Sequence, residues 1–195
     1  MKNPLENLHQ TLGIGAVVAL IVLIIGAPAF DQAFWAGFFR WLHVFTGVLW
    51  IGLLYYFNFV QMPTMPKIPA EQRPAVSKFI APEALFWFRW AAAATVLFGL
   101  ITAMLSGYLS SLWTLGFDGS GGRHRMIGIG MWMALIMAFN VWFVIWPNQQ
   151  KALGLVEADA DTRTKAARTA MLFSRFNTMF SIGMFYAMVM AKNVG

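Results

Sequence analysis

Residues 35–61 read WAGFFRWLHVFTGVLWIGLLYYFNFVQ, an apolar stretch whose polar residues concentrate on one side. A membrane-spanning helix must turn an ionisable side chain towards the bundle interior, pair it, or bind something with it. We therefore expect this side to face inward and His43 to be the first candidate for a functional residue. At about 100° per residue, the side is an arc of about 80° that holds Arg40, His43, Gly47, Trp50, Leu54, Asn58 and Gln61.

The composition is that of an integral membrane protein. Of the 195 residues, 59% are hydrophobic and only 11% are charged, and the mean hydropathy is +0.62. The net charge of +6 does not indicate nucleic-acid binding, because the basic residues lie in short loops between apolar blocks. The absence of cysteine excludes disulfides, thiolate metal sites and iron–sulfur clusters held by cysteine.

Five apolar stretches are long enough to cross a bilayer, which requires about 20 residues. We predict an all-α, polytopic fold in which residues 1–195 form one transmembrane domain of five helices. The first apolar run is longer than the ~7–15 residues of a signal peptide, so we expect it to remain as a span. The predicted spans are about 11–29, 34–61, 84–112, 126–147 and 170–191.

Loop charge sets the expected orientation. Cytoplasmic loops carry an excess of Lys and Arg, and one side of the five-span arrangement has eight basic residues whereas the other has three. We therefore predict a cytoplasmic N-terminus. The eight are Lys2, Lys67, Arg73, Lys78, Lys151, Arg163, Lys165 and Arg168, and the three are Arg123, Arg125 and Lys192.

Several local patterns predict packing and helix ends. Small residues recur every four positions in three spans, a spacing that lets backbones approach closely. A buried Asn140 is expected to bond to Asn177, Thr178 or Ser181, and Asp161 is a candidate helix cap. Five prolines between spans 2 and 3 predict irregular chain there, and Pro147 predicts the end of span 4. The small residues are Gly99, Ala103, Gly107, Gly130, Ala134, Ala138, Gly183, Ala187 and Ala191.

The spacing around His43 is typical of a haem site. An imidazole can ligate the iron, Gly47 leaves room one turn away for a flat macrocycle, Trp50 can wall the pocket, and Arg40 can pair with an acidic group. The structural alternative is a histidine bonded to a neighbouring helix, with Arg40 reaching the interface. His124 is the candidate second metal ligand, although it lies closer to the membrane surface than His43; Met131 is a substitute.

Several motifs resemble one family. Trp41-Leu42-His43 through Gly47, Trp87-Phe88-Arg89-Trp90, the block from Asn140 to Gln149, and Ser174-Arg175-Phe176-Asn177 are similar to the membrane domain of PuuD-type urate oxidases (urate hydroxylases). Long members of that family join this domain to a C-terminal cytochrome c, and this chain resembles a short form without it. Two family positions differ: Ala91 stands where the family has an acidic residue, and Gly128 where it has a histidine.

The residues and the resemblance together imply a bacterial inner-membrane, multi-pass protein. We expect it to bind b-type haem, with cofactor contacts from Arg40, His43, Gly47, Trp50 and His124, and to transfer electrons as an oxidoreductase. Its partner would be a cytochrome c or another membrane-complex subunit. One alternative is a cofactor-free accessory subunit of a larger respiratory or oxidase complex. Another is oxidation of urate or a related purine by the chain itself.

Overall fold

A computed structural model of the protein describes residues 3–26 and 29–194, and every regular element within them is helical. A short helix, Ser111–Thr114, connects the third and fourth of five long helices, and a single 3₁₀ turn, Pro4–Glu6, precedes the first. The end of the first predicted span, residues 27 and 28, lies outside the described residues. The five long helices are α1 (Leu8–Gly26), α2 (Gln32–Lys67), α3 (Arg73–Leu105), α4 (Gly122–Ala152) and α5 (Ala160–Met190).

Four of these helices, α1 to α4, are long and apolar enough to cross a membrane. The protein is therefore a multi-pass membrane protein in an all-helical fold. Helix α5 does not reach the same hydropathy, because polar side chains such as Arg175, Asn177 and Ser181 interrupt its apolar sequence.

Two antiparallel hairpins build the bundle. Helix α2 packs along α3, and α4 packs along α5. The core lies where the hairpins meet, around Trp50, Leu54, Phe88, Met137 and Val141, which are almost completely buried. Helix α1 has no buried residue and lies outside this core. The start of α2, the end of α3, the start of α4 and the end of α5 share one end of the bundle, which we call the His43 end.

Three prolines lie within helices without ending them. Segments with π-helical bonding, Tyr56–Gln61, Val76–Ile80 and Asn140–Ile145, end just before Pro63, Pro82 and Pro147 respectively. A proline lacks an N–H and its ring clashes with the carbonyl four residues earlier. That carbonyl lies within the π segment in each case, and the widened turn moves it away from the ring.

The expectations based on proline were therefore wrong in part. Helix α4 continues past Pro147 to Ala152, and between α2 and α3 only residues 68–72 lie outside the helices. In contrast, α3 ends at Leu105, before the predicted end at 112, because Gly107 adopts φ of +77° just beyond it. Gly107 therefore does not belong to a helical packing stripe.

The seam between α4 and α5 has the predicted small residues. A Cβ on Gly130 would lie 3.1 Å from Met188, and one on Gly183 would lie 2.9 Å from Met133. Both distances are shorter than ordinary contacts, so these glycines let the methionine side chains of the facing helix pack directly against the backbone.

Buried amides join the same two helices, as the sequence predicted. Asn140 Nδ2 donates to Asn177 Oδ1 at 2.9 Å, and Asn177 Nδ2 donates to the carbonyl of Met137 at 2.9 Å. Asn177 has no exposed surface. Helix α2 joins this polar layer through hydrogen bonds from Asn58 to Ser174 and between Tyr55 and Ser181. The layer fixes α5 against its hairpin partner α4 and against α2 of the other hairpin.

Removal of the buried amide tests this layer. We expect Asn177→Ala to lower the stability of the bundle by about 1–2 kcal/mol, because it leaves Asn140 without its acceptor. Asn148→Ala is the matched control, since Asn148 bonds only to Val144 of its own helix. The two variants are compared by thermal unfolding in detergent; equal midpoints would contradict the proposed role of Asn177.

The cap of α5 is Asp159 and not Asp161. Asp159 accepts hydrogen bonds from the backbone N–H and the hydroxyl of Thr162, both at 2.8 Å, whereas Asp161 pairs with Lys165. Asp159 adopts the extended backbone of a cap, and Asp161 is already helical. The bonds from Thr162 lower the pKa of the Asp159 carboxyl below its ordinary value.

A pH dependence follows from this cap. Because the pKa of Asp159 is lower in the folded protein than in the unfolded chain, its stabilisation is complete above the ordinary aspartate pKa of about 4 and is lost as pH falls through the lower, folded value. Hydrogen exchange at Arg163 and Thr164 should show this loss in the wild type. Asp159→Ala should exchange faster at neutral pH and lack the acid-dependent change; an unchanged rate would contradict the assignment.

Candidate functional site

His43 is held by a hydrogen bond across the α2–α3 interface. Its Nδ1 lies 2.8 Å from the carbonyl oxygen of Thr95. A carbonyl can only accept, so Nδ1 donates, and in the neutral imidazole Nε2 carries the lone pair. Among the described residues, Nε2 has no hydrogen-bond partner. The histidine is therefore oriented by one nitrogen and has the other available as a ligand.

Gly99 makes the room that this orientation requires. A Cβ on Gly99 would lie 2.8 Å from Nδ1 and 2.9 Å from Cε1 of His43, which is too close for any side chain. A Cβ on Gly47 would lie 3.6 Å from Thr95, an ordinary contact. The glycine that seats the imidazole thus lies on α3, while Gly47, which the sequence suggested, is less constrained.

A cavity of about 580 Å³ lies beside His43. Its volume is within the range of about 300–1,000 Å³ that is typical of ligand sites. Four of the five predicted site residues line it together: Arg40, His43, Gly47 and Trp50. The other walls come from α3, α4 and α5, through residues such as Thr95, Leu100, Ile127, Met131, Leu135, Met184, Phe185 and Met188.

His124, the fifth predicted residue, does not line this cavity. Its Nδ1 lies 2.8 Å from Ser111 Oγ in the short helix before α4. The short helix also explains Gly128, where the resembled family has a histidine. A Cβ on Gly128 would lie 2.5 Å from the carbonyl oxygen of Ser111, so the segment before α4 occupies the space a larger side chain would need.

Sequence reasoning missed several cavity residues. Gly99 had a signal in the stripe of small residues, but only the structure shows that His43 is its neighbour. Arg123 and Lys192 had been assigned to loop charge, yet both line the cavity at the His43 end. Thr95 contributes through its backbone carbonyl, a group that side-chain patterns cannot reveal.

The cavity offers donors suited to iron held in a macrocycle. His43 supplies an imidazole, and Met131, Met184 and Met188 supply thioethers. Imidazole and thioether are the axial ligands of many b- and c-type haems, whereas Mg²⁺ and Ca²⁺ prefer oxygen. The residues present therefore fit a haem, which His43 would ligate through Nε2 and one of these methionines could also ligate.

A second polar group lies towards the opposite end. The guanidinium carbon of Arg89 lies 3.3 Å from the centroid of the Trp146 ring, and Trp142 is 6.0 Å away. Among the described residues, two nitrogens of Arg89 and the side-chain oxygens of Asn58 and Gln61 are buried without hydrogen-bond partners. The stacking stabilises the cation and accounts for the tryptophans at the end of α4.

Comparison with known proteins supports the family resemblance over part of the chain. Residues 113–193 match the family described as urate oxidase N-terminal. This region contains the short helix in part, α4 and α5, whereas His43 and Gly99 precede it. No curated protein and no solved structure matches the chain. The match to residues 113–193 thus supports a protein of the urate oxidase type.

Proposed function

We propose that the protein binds b-type haem through His43 and transfers electrons to a partner. The observation that carries this proposal is the position of His43, whose Nδ1 is bonded to Thr95 while the imidazole lines a cavity of about 580 Å³. When bound, the haem would supply one-electron redox chemistry, which side chains alone cannot provide.

The residues around His43 have defined parts in this proposal. The Thr95 carbonyl fixes the tautomer and raises the basicity of Nε2, as outer partners of ligating histidines do. Trp50 and the aliphatic residues of α4 and α5 exclude water, and a dry pocket is one means by which proteins set a redox potential. Arg40 would interact with an acidic group of the cofactor.

The proposed topology has five spans with the N-terminus in the cytoplasm of a bacterium. Helix α5 is less apolar than the others and Arg175 within it is exposed, but Asn177 and Ser181 are fully buried. Polar residues in membrane helices are tolerated where they face the bundle interior. With α5 crossing the membrane, His43 lies in the outer half, where a cytochrome c or an oxidase subunit would accept electrons.

Replacement of His43 tests the proposed haem ligand. His43→Ala should abolish the Soret and α bands in the reduced-minus-oxidised spectrum of protein purified from haem-supplied cells. His9→Ala is the control, since His9 is an exposed residue at the start of α1. Wild-type protein without these bands would refute haem binding, and bands that persist in His43→Ala would refute the ligand.

A second prediction concerns a variant that moves the His43 side chain without replacing it. We expect Gly99→Val to reduce bound haem about as much as His43→Ala, because any Cβ at position 99 overlaps the imidazole. Gly52→Ala is the matched control, because nothing lies within 4 Å of a Cβ built there. Haem content per protein is measured as the pyridine haemochrome. Normal content in Gly99→Val would show that the seat of His43 is not needed.

The alternative of a cofactor-free accessory subunit has one observation in its favour. Helix α1 has no buried residue, so most of its surface is open to lipid or to another subunit. This function requires copurification with a multisubunit membrane assembly and a spectrum that His43→Ala leaves unchanged. Loss of the assembly when α1 is replaced by an unrelated span would favour it over haem binding.

Oxidation of urate by the chain itself rests on the family match over residues 113–193. Ala91, which stands in place of the family's acidic residue, is buried in the core next to Phe88 and Ala92. The decisive measurement is urate-dependent reduction of added cytochrome c by the purified protein. Reduction at a rate above that of protein-free controls would establish this activity, and its absence would exclude it.

A further inference from the structure

Three basic residues from three helical elements line the cavity at its His43 end. Arg40 lies near the start of α2, Arg123 in the first turn of α4, and Lys192 just after the end of α5. They are far apart in sequence, and the fold brings them to one cavity. We call this group the cationic rim.

The rim lacks acidic partners within the described residues. The one ion pair among the described residues joins Lys165 and Asp161, which lie at the opposite end of the bundle. The carboxylates at the His43 end are engaged elsewhere: Asp31 accepts from the N–H of Phe34, and Asp118 accepts from the N–H of Ser120. Arg40 donates to Ser106 Oγ at 3.2 Å, which uses only one of its N–H groups.

The start of α4 adds to the positive potential. The first N–H groups of a helix have no partner within it, and they carry the positive end of the helix dipole. The residue that precedes α4 is Gly121, which provides no side-chain cap. Nothing lies within 4 Å of a Cβ built on Gly121, so the backbone just before Arg123 is open to approach.

The rest of the cavity is mostly apolar. Beyond the rim, His43, Thr95, Thr102 and Tyr108 are polar, and the other walls are aliphatic, aromatic and methionine side chains, including Val44, Ile51, Leu100, Ile127 and Leu135. Because one end attracts anions and the remainder excludes water, the site suits an elongated or flat molecule with an apolar body and acidic groups at one edge.

We propose that the cationic rim binds two carboxylates of the occupant and so fixes its orientation, with the acidic edge at the His43 end and the apolar body along α4 and α5. This inference rests on the proposed function in its choice of ligand, a porphyrin dicarboxylate. Arg40 holds one carboxylate, while Arg123 and Lys192 hold the other. The phosphate of an anionic lipid has similar chemistry, and the experiment separates the two sources.

The test uses metal-free protoporphyrin IX and its dimethyl ester, which differ only in the two acidic groups. The purified protein in phosphatidylcholine nanodiscs is titrated with each, and porphyrin fluorescence gives the dissociation constants. We expect the free acid to bind about 5- to 20-fold more tightly than the ester, since exposed ion pairs contribute about 0.2–1 kcal/mol each. The preference should decrease with added salt.

Variants of the rim should lose this preference. Each of Arg40→Gln, Arg123→Gln and Lys192→Gln should weaken the free acid about twofold to fivefold and leave the ester unchanged. Arg125→Gln is the matched control, because Arg125 stacks over Phe117 at 4.8 Å and does not line the cavity. These side chains are exposed, so the variants should unfold at the wild-type temperature. Equal affinities for acid and ester in the wild type would overturn the inference.

Anionic lipid provides the second arm. The titrations are repeated in nanodiscs that contain phosphatidylglycerol. If the rim holds porphyrin carboxylates, the preference for the free acid should persist. The negative surface charge of these nanodiscs should reduce it by the same factor in the wild type and in Arg125→Gln. Complete loss of the preference, together with phosphatidylglycerol that copurifies with the wild type but not with Arg123→Gln, would assign the rim to lipid phosphate and overturn the carboxylate assignment.

The outcome is distinct from that of the haem test. Metal-free porphyrin needs no axial ligand, so His43→Ala should retain the preference for the acid even though it lacks haem bands. A protein that binds haem without preferring the acid would refute the rim and leave the proposed function intact. A protein that prefers the acid but shows no haem bands would refute the proposed function and leave the rim intact.

Discussion

The hydrogen bond from His43 Nδ1 to the carbonyl of Thr95 connects the fold to the site. A free imidazole within a bilayer is costly, and a bond to a neighbouring helix lowers that cost while it fixes which nitrogen remains free. The bond is possible only because Gly99 lets the ring reach the backbone of α3. The orientation of the candidate ligand His43 therefore requires the close packing of α2 against α3.

The polar layer in the centre of the bundle depends on the same physics. Asn140, Asn177 and Ser181 are buried and bonded to partners on other helices or to helix carbonyls. Two of the π-helical segments, Tyr56–Gln61 and Asn140–Ile145, contain members of this layer. The turns that make room for a proline ring are thus also the turns that hold polar contacts. The wider π turn changes which residues face the core.

Helical periodicity predicted the inward side of α2 and hence three residues that line the cavity with His43, because all of that information lies in one segment. A buried asparagine requires a partner, which predicted a bond from Asn140 to Asn177, Thr178 or Ser181, and Asn177 is the one that accepts it. Periodicity could not identify Gly99, Arg123 or Lys192, whose importance depends on which helices become neighbours.

Two predictions from the sequence were wrong, one on the end of α4 and one on the cap of α5, because the local backbone conformation decided against the residue type. Proline usually ends a helix, but a π turn before Pro147 allows α4 to continue. Asp159 and Asp161 are both suitable caps by residue type, and the backbone conformation selects the first. The role of His124 as a ligand stays a prediction; its Nδ1 lies 2.8 Å from Ser111 Oγ, in a short helix that the predicted topology did not include.

The division of the bundle into two hairpins has a consequence for assembly. His43, Thr95 and Gly99 belong to the hairpin of α2 and α3, whereas Met131, Arg123 and Lys192 belong to α4 and α5 or follow them. Neither hairpin encloses the cavity alone. Any molecule that fills it binds the docked hairpins and not the separated ones, so by mass action it strengthens their association. An occupant of this cavity is thus also a structural element, and its supply during biosynthesis would determine how much of the inserted chain reaches the closed bundle.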